Sequence, residues 1–456
     1  MTSLTLVTLL VMAYGVVNRG GYGRALALGG ATAAGAAVAL GGVAMPTFYV
    51  TALGAAGALV LALLGIGGLR QSRREPLPPG VPLLVLMLAW SAVVTLLAPV
   101  FFSRMFVSTA KGRAQLLAGY VTPSNVAQIL YLALGICVVV FLARSPYSRP
   151  ELIGLLVFTT TILSFWRYLH GEVGVPFPEG LFDNSPTLAF IETAPGGEER
   201  FRGILSEPSS LAASCLITIA YGLSRAPRVQ GWRRAGVLAV VAAAAYMGSI
   251  STSTTFVVAA AVVAALAVSS LLGSLLFRRA RVTVTAAVMA CVALMAAIWL
   301  LPAVVGYVSA TVGDKVGTAS YDERSMANTT AYDLFFDTYG YGVGLGSNRA
   351  SSFLPGLLST VGLVGTLLFA AAVAMLISKT ASVPAYRPVL WALVTMLVLK
   401  LVAGPDLSDP SGVIWMSLGL LSHAAVRATP RQKDLAYRPP DVDFLPSVAP
   451  ARQGAW

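Results

Sequence analysis

The sequence predicts an all-α fold, a bundle of helices that crosses a lipid bilayer many times, and three observations carry that expectation. The 456 residues are 57% hydrophobic and only 11% charged, against about 25% charge in soluble domains. Mean hydropathy is +0.78. Apolar runs of roughly 17 to 25 residues, the length a helix needs to cross about 30 Å of hydrocarbon, recur along nearly the whole chain.

Taken in order, the runs give about thirteen spans, with twelve to fourteen allowed by blurred Gly- and Ser-rich boundaries. They fall near 2–18, 25–44, 47–69, 81–101, 124–143, 152–169, 208–224, 235–250, 253–277, 282–308, 351–378, 388–404 and 411–427. Residues 1–427 therefore read as one membrane domain. The Pro-rich stretch 428–456 reads as a disordered tail.

Charge sets the expected orientation. A formal charge of +12 would point to nucleic acid in a soluble chain, but here the basic residues sit in short connections between apolar runs, where they orient helices. About two thirds of the 31 Lys and Arg fall on the side that holds the tail. That side is expected to be cytoplasmic, with the N-terminus outside. The first basic residues, Arg19 and Arg24, follow the first apolar run, which argues against a cleaved signal peptide. Cys137, Cys215 and Cys291 lie inside apolar runs, far from any metal-ligand or disulfide spacing. One outer connection breaks the charge rule: 102–123 carries Arg104, Lys111 and Arg113 with no acid. Either the helix count fails there or those cations face an anionic ligand.

Two outer connections, 170–207 and 309–350, are far longer than a turn, and chemistry in a membrane protein concentrates in such segments. The first ends in Glu198-Glu199-Arg200-Phe201-Arg202-Gly203-Ile204-Leu205-Ser206-Glu207-Pro208. In an extended segment Arg200 and Arg202 project to one side about 6 to 7 Å apart, a fork suited to a diphosphate. The alternative is pairing with Glu198, Glu199 and Glu207. Pro208 marks a helix start whose positive end favours an anion. Glu207, at that entry point, is either a general base or a favourable helix-terminal charge.

The second loop holds Arg324, then Asp333 and Asp337, which four residues apart share one helix face. They are solvated acids or catalytic ones. Glycine at every second position from Gly340 to Gly346 leaves one side of an extended strand bare, open to close backbone approach, unless the run is only a hinge. Arg349, just before the next span, either snorkels to the interface or faces a phosphate. Lys400 is a lone charge inside an apolar span, facing the bundle interior or snorkelling outward. His170 and His423 have no partner at metal-ligand spacing.

The stretch from Arg200 through Glu207-Pro208-Ser209-Ser210, the lone Arg324, and Gly342-Val343-Gly344-Leu345-Gly346-Ser347-Asn348-Arg349 followed by Leu358-Ser359-Thr360-Val361-Gly362 resemble the O-antigen polymerase and O-antigen ligase family of bacterial membrane glycosyltransferases. The likeness spans residues 200 to 366 by motif and the rest by hydropathy. It implies a GT-C-like enzyme of the inner membrane that needs no metal or cofactor and inverts the sugar it transfers. Undecaprenyl-diphosphate-linked oligosaccharides would serve as donor and acceptor, with membrane lipids around them and a chain-length regulator as a further partner. Arg200 or Arg202, together with Arg324, match the family's diphosphate-holding arginines, and Arg349 follows with a shifted spacing to Gly362. The ligase branch places a histidine before the span that follows the glycine segment. Here that stretch reads Ser347-Asn348-Arg349-Ala350, which favours the Wzy-type polymerase branch. On that reading a carboxylate takes the acceptor proton, with Glu207 first and Asp333 or Asp337 next. The rivals are ligase-like transfer to a lipid or protein, and a flippase with no chemistry.

Overall fold

The computed structural model describes residues 3–18, 21–33, 35–40, 43–65, 76–109, 112–185, 190, 192, 200–251, 253–277, 306 and 319–428. Fourteen α-helices lie among them. Seven helical segments are long and apolar enough to cross a membrane, the first being α4 (Val81–Phe101), α5 (Pro123–Arg144) and α6 (Glu151–Val173). The others fall in α9 (Gly231–Ile250), α10 (Thr254–Phe277), α12 (Phe353–Thr380) and the stretch ending in α13 (Arg387–Val402). Shorter apolar helices are α1 (Ser3–Val17), α3 (Thr47–Leu63) and α14 (Val413–Arg427). The remaining helices are α2 (Tyr22–Ala31), α7 (Glu179–Phe182), α8 (Pro208–Arg225) and α11 (Ala319–Asp337).

The helix ends match the apolar runs to within a few residues from 81 to 277 and from 353 to 427. The expected span at 282–308 and the tail from 429 lie outside the described residues, apart from Gly306.

One expected span is corrected. Residues 25–44 do not form a membrane-length helix: α2 stops at Ala31 and the chain turns into an antiparallel hairpin, β1 (Ala36–Leu40) against β2 (Val43–Pro46). Ten helical residues reach about 15 Å, half the hydrocarbon thickness. α2 is instead covered by protein. Leu26, Ala27 and Ala31 are fully buried, and α2 packs on α1, α3 and α6. The purely α expectation is corrected a second time at 102–123, where β3 (Phe106–Thr109) pairs with β4 (Gly112–Gln115). α4 and α5, both long and apolar enough to cross a membrane, flank the hairpin.

The core centres on α14, whose residues Val413 to Ala425 are all buried. It packs on α5, α12 and α13. Gly135 of α5 lies under the Trp415 ring, and a Cβ there would meet the indole at 2.5 Å, so a small residue lets the helices close up. Large apolar side chains instead face outward along α4, where Leu97 and Phe101 are exposed.

Candidate functional site

The glycine segment organises the site. Gly340, Gly342, Gly344 and Gly346 all take positive φ, a backbone that side-chain-bearing residues rarely adopt. Added Cβ atoms would strike backbone on three different helices: Thr360 of α12 at Gly342, Thr95 of α4 at Gly344 and Ser124 of α5 at Gly346, each within 2.8 Å. Close approach, rather than a hinge, is what the alternating glycines provide.

α12 is broken to receive this segment. Gly362 adopts φ 68°, ψ −170° inside the helix, which frees carbonyls above the break. Val343 N–H donates to Ser359 O (2.8 Å), Gly344 N–H to Thr360 O (2.9 Å) and Trp90 Nε1 to Val361 O (2.9 Å). Below the break, Leu363 N–H donates to Gly340 O (2.9 Å). Each of these freed groups finds a partner, as a buried discontinuous helix requires.

Beyond the glycines, Asn348 locks the segment to the β3–β4 hairpin. Its Oδ1 accepts from Ser108 N–H (2.9 Å) and its Nδ2 donates to Ser359 Oγ (3.1 Å), while Arg349 N–H donates to Ser108 O (2.8 Å). Asn125 in the first turn of α5 donates to Leu345 O and to Ser347 Oγ (2.9 Å). Asn328 of α11 accepts from the N–H groups of Ser351 and Ser352 at the start of α12.

These contacts enclose a pocket of about 680 Å³ between the hairpin, the N-terminal end of α5, residues 345–349, the first turns of α12 and residues 405–407. Its polar wall includes Ser108, Gln115, Thr122, Gln128 and Asn348. Arg349 and Asp406 are the charged residues of that wall. At the other end of the same segment, Tyr341 and Gly342 join Trp90, Val93, Leu97 and Phe101 of α4 in an apolar groove of about 490 Å³. A chamber with two charged residues and a greasy groove thus lie at the two ends of one segment, residues 345–349 and 341–342. The sequence matches no family model and no curated protein.

The sequence-selected residues divide among three places. Arg349 alone lines the pocket. Arg324, Asp333 and Asp337 are exposed on α11; Arg324 stands on the same face as Asn328, one turn earlier, and so near the start of α12. It lies within a helix rather than upstream of one. Asp333 and Asp337 flank the buried Leu334 on the opposite, outward side and line neither cavity.

Arg200 and Arg202 do not form a joint fork, which corrects the extended-strand expectation. Arg200 donates to Ser251 O at the end of α9 (3.0 Å). Arg202 turns the other way, is 3% exposed, and donates to both Asp183 oxygens, to Glu192 Oε1 (2.8 Å) and to Leu205 O (2.9 Å). Arg167 joins the same two acids, and Phe190 lies 4.9 Å from the Arg202 guanidinium. Four of the five guanidinium N–H groups of Arg202 are thereby consumed. The partners are Asp183 and Glu192, not Glu207; Glu198 and Glu199 lie outside the described residues. Burial would raise the Asp183 carboxyl, but the Arg202 hydrogen bond and the charges of Arg167 and Arg202 outweigh it and hold its pKa below the usual value.

Glu207 stands at the entry to α8 in extended backbone without a side-chain hydrogen bond to the helix backbone, and Pro208 follows at the first helical position as expected. Its carboxylate accepts from Ser209 Oγ (2.8 Å). Sequence reasoning passes over Asp406. The signal is there in Gly404-Pro405-Asp406-Leu407-Ser408-Asp409-Pro410-Ser411-Gly412, a short connection with two acids between apolar spans.

Proposed function

We propose that the chain is a membrane glycosyltransferase of the O-antigen polymerase type, joining polyprenyl-diphosphate-linked oligosaccharides on the outer side of the membrane. One observation carries the reading: a pocket holding a cation and a carboxylate, and an apolar groove on a membrane-length helix, are lined by the two ends of one glycine segment, residues 345–349 and 341–342. An amphiphile with an anionic head and a long apolar tail suits both at once.

In this reading the tail lies along α4 and the diphosphate faces Arg349. The amino end of α5 at Thr122–Ser124 adds the partial positive charge of a helix terminus. Arg324, exposed on α11, would add positive potential on the same side of the chain as Asn328. Arg202 is not asked to hold phosphate, since its donors already serve Asp183 and Glu192. Preorganised positive charge opposite the departing diphosphate is what lowers the barrier of such a transfer most. The multi-span topology, with the pocket outside and the tail in the cytoplasm, belongs to the same proposal.

Purified protein in proteoliposomes, given a lipid-linked repeat unit and no other acceptor, should yield a ladder of lengthened products. A single transferred unit appearing only when a different acceptor is added would favour the ligase-like rival. Movement of the lipid across the bilayer without any new glycosidic bond would replace the enzyme with a flippase.

A further inference from the structure

We infer that Asp406 takes the proton from the acceptor hydroxyl and that the buried Lys400 holds it in position, an inference that rests on reading the pocket as a site for lipid-diphosphate glycans. Asp406 is the carboxylate of the pocket wall, and its side chain makes no ion pair among the described residues. Its backbone is fixed instead. Lys400, 7% exposed in the last turn of α13, donates its Nζ to Asp406 O at 2.7 Å. Gly404 leaves the helix with φ 123° and its N–H donates to Ser351 O (3.1 Å), two residues beyond Arg349. At the far end Asp409, 1% exposed, accepts from Ser411 N–H and Oγ and from Ile414 N–H (2.7 Å), pinning the loop to the start of α14. Pro405 O sits so close to α12 that a Cβ on Gly356 would approach it to 2.8 Å.

A loop tied at both ends with one carboxylate left open is preorganised for proton transfer. The lysine is the stronger sign. This ammonium, buried in the last turn of an apolar helix, has no carboxylate within ion-pair distance among the described residues, only a carbonyl and the Phe353 ring 5.8 Å away. Such charges in membrane segments are costly and are retained for function. Here the carbonyl that Lys400 grips belongs to Asp406, which lines the pocket together with Arg349.

The step balances without any added reagent. The acceptor oxygen bonds to the anomeric carbon as its proton passes to the Asp406 carboxylate. The bond from that carbon to the diphosphate oxygen breaks, and the electron pair leaves on the diphosphate beside Arg349. Asp406 then returns the proton to water.

Steady-state elongation in proteoliposomes tests this. Asp406→Asn should lower kcat about 100-fold or more, with KM for the lipid-linked donor within about threefold and an unchanged melting temperature. Lys400→Met should lower kcat with the same flat KM, the double variant should be no slower than Asp406→Asn, and Lys400→Arg should recover part of the rate. Where Lys400→Met does not fold, Lys400→Gln takes its place with the same outcomes. Wild-type kcat in Asp406→Asn overturns the inference and leaves the functional reading standing; additive losses in the double variant overturn the positioning role of Lys400. A wild-type protein that forms no product from the lipid-linked donor overturns the reading itself.

Discussion

Arg349 and Arg202 show how differently two arginines of one sequence can be spent. Arg349 is exposed on the pocket wall and forms no ion pair among the described residues. Replacing it with alanine should cost the transfer step about 2 to 4 kcal/mol of transition-state stabilisation, read as a roughly 30-fold or greater fall in turnover, while the melting temperature stays put. Arg202 sits in a four-charge cluster that closes the first long loop. Asp183→Asn would leave that guanidinium buried beside only Glu192, so thermal unfolding in detergent should register a loss of about 3 kcal/mol. The sign with pH follows from the depressed carboxyl. Its contribution is present at neutral pH and disappears as pH falls through a value below 3.8. The stability gap between wild type and Asp183→Asn should therefore close in acid; a gap that widens would refute the cluster. No spacing rule could have paired Arg202 with acids 10 and 19 residues away, which is why its adjacency to Arg200 misled.

Among elements, the glycine segment was the most legible part of the site and the hairpin after α2 the least. Alternation from Gly340 to Gly346 announced a bare backbone edge, and three helices use it. At Gly344, with φ 90° and the Thr95 backbone 2.7 Å from where a Cβ would stand, alanine should destabilise by at least about 2 kcal/mol. Gly57, in open space on α3, serves as control, where alanine should be neutral or stabilising by up to about 1 kcal/mol. Equal melting shifts at the two positions would mean the segment is not threaded as described. The hairpin was hidden because Ala36-Ala37-Val38-Ala39-Leu40 and Val43-Ala44-Met45 are as apolar as a span. Hydropathy measures burial, and a hairpin packed beside α1 and α3 passes that test as well as a helix does.

For the whole molecule, apolar run length located most helices because crossing a bilayer imposes one length on every span. It could not show which connections meet. Residues from 107 to 407 converge on one pocket, and only tertiary packing brings the 405–407 turn beside Arg349. Sidedness is open to direct measurement. With the native cysteines replaced, an impermeant maleimide should label Tyr120→Cys, at the pocket mouth, in intact cells. Trp232→Cys, on a connection that the proposed topology puts on the other side, should react only after permeabilisation. The reverse pattern would put the pocket in the cytoplasm, away from lipid-linked glycans presented outside.

The measurement that bears most directly on the shared site is photo-crosslinking with a polyprenyl diphosphate carrying a diazirine in its tail. Labelling should concentrate on α4 between Trp90 and Phe102 and on Tyr341, and it should fall sharply in Arg349→Ala. Labels gathered along α8 near Arg202, or a pattern indifferent to Arg349, would contradict the pairing of headgroup pocket and tail groove.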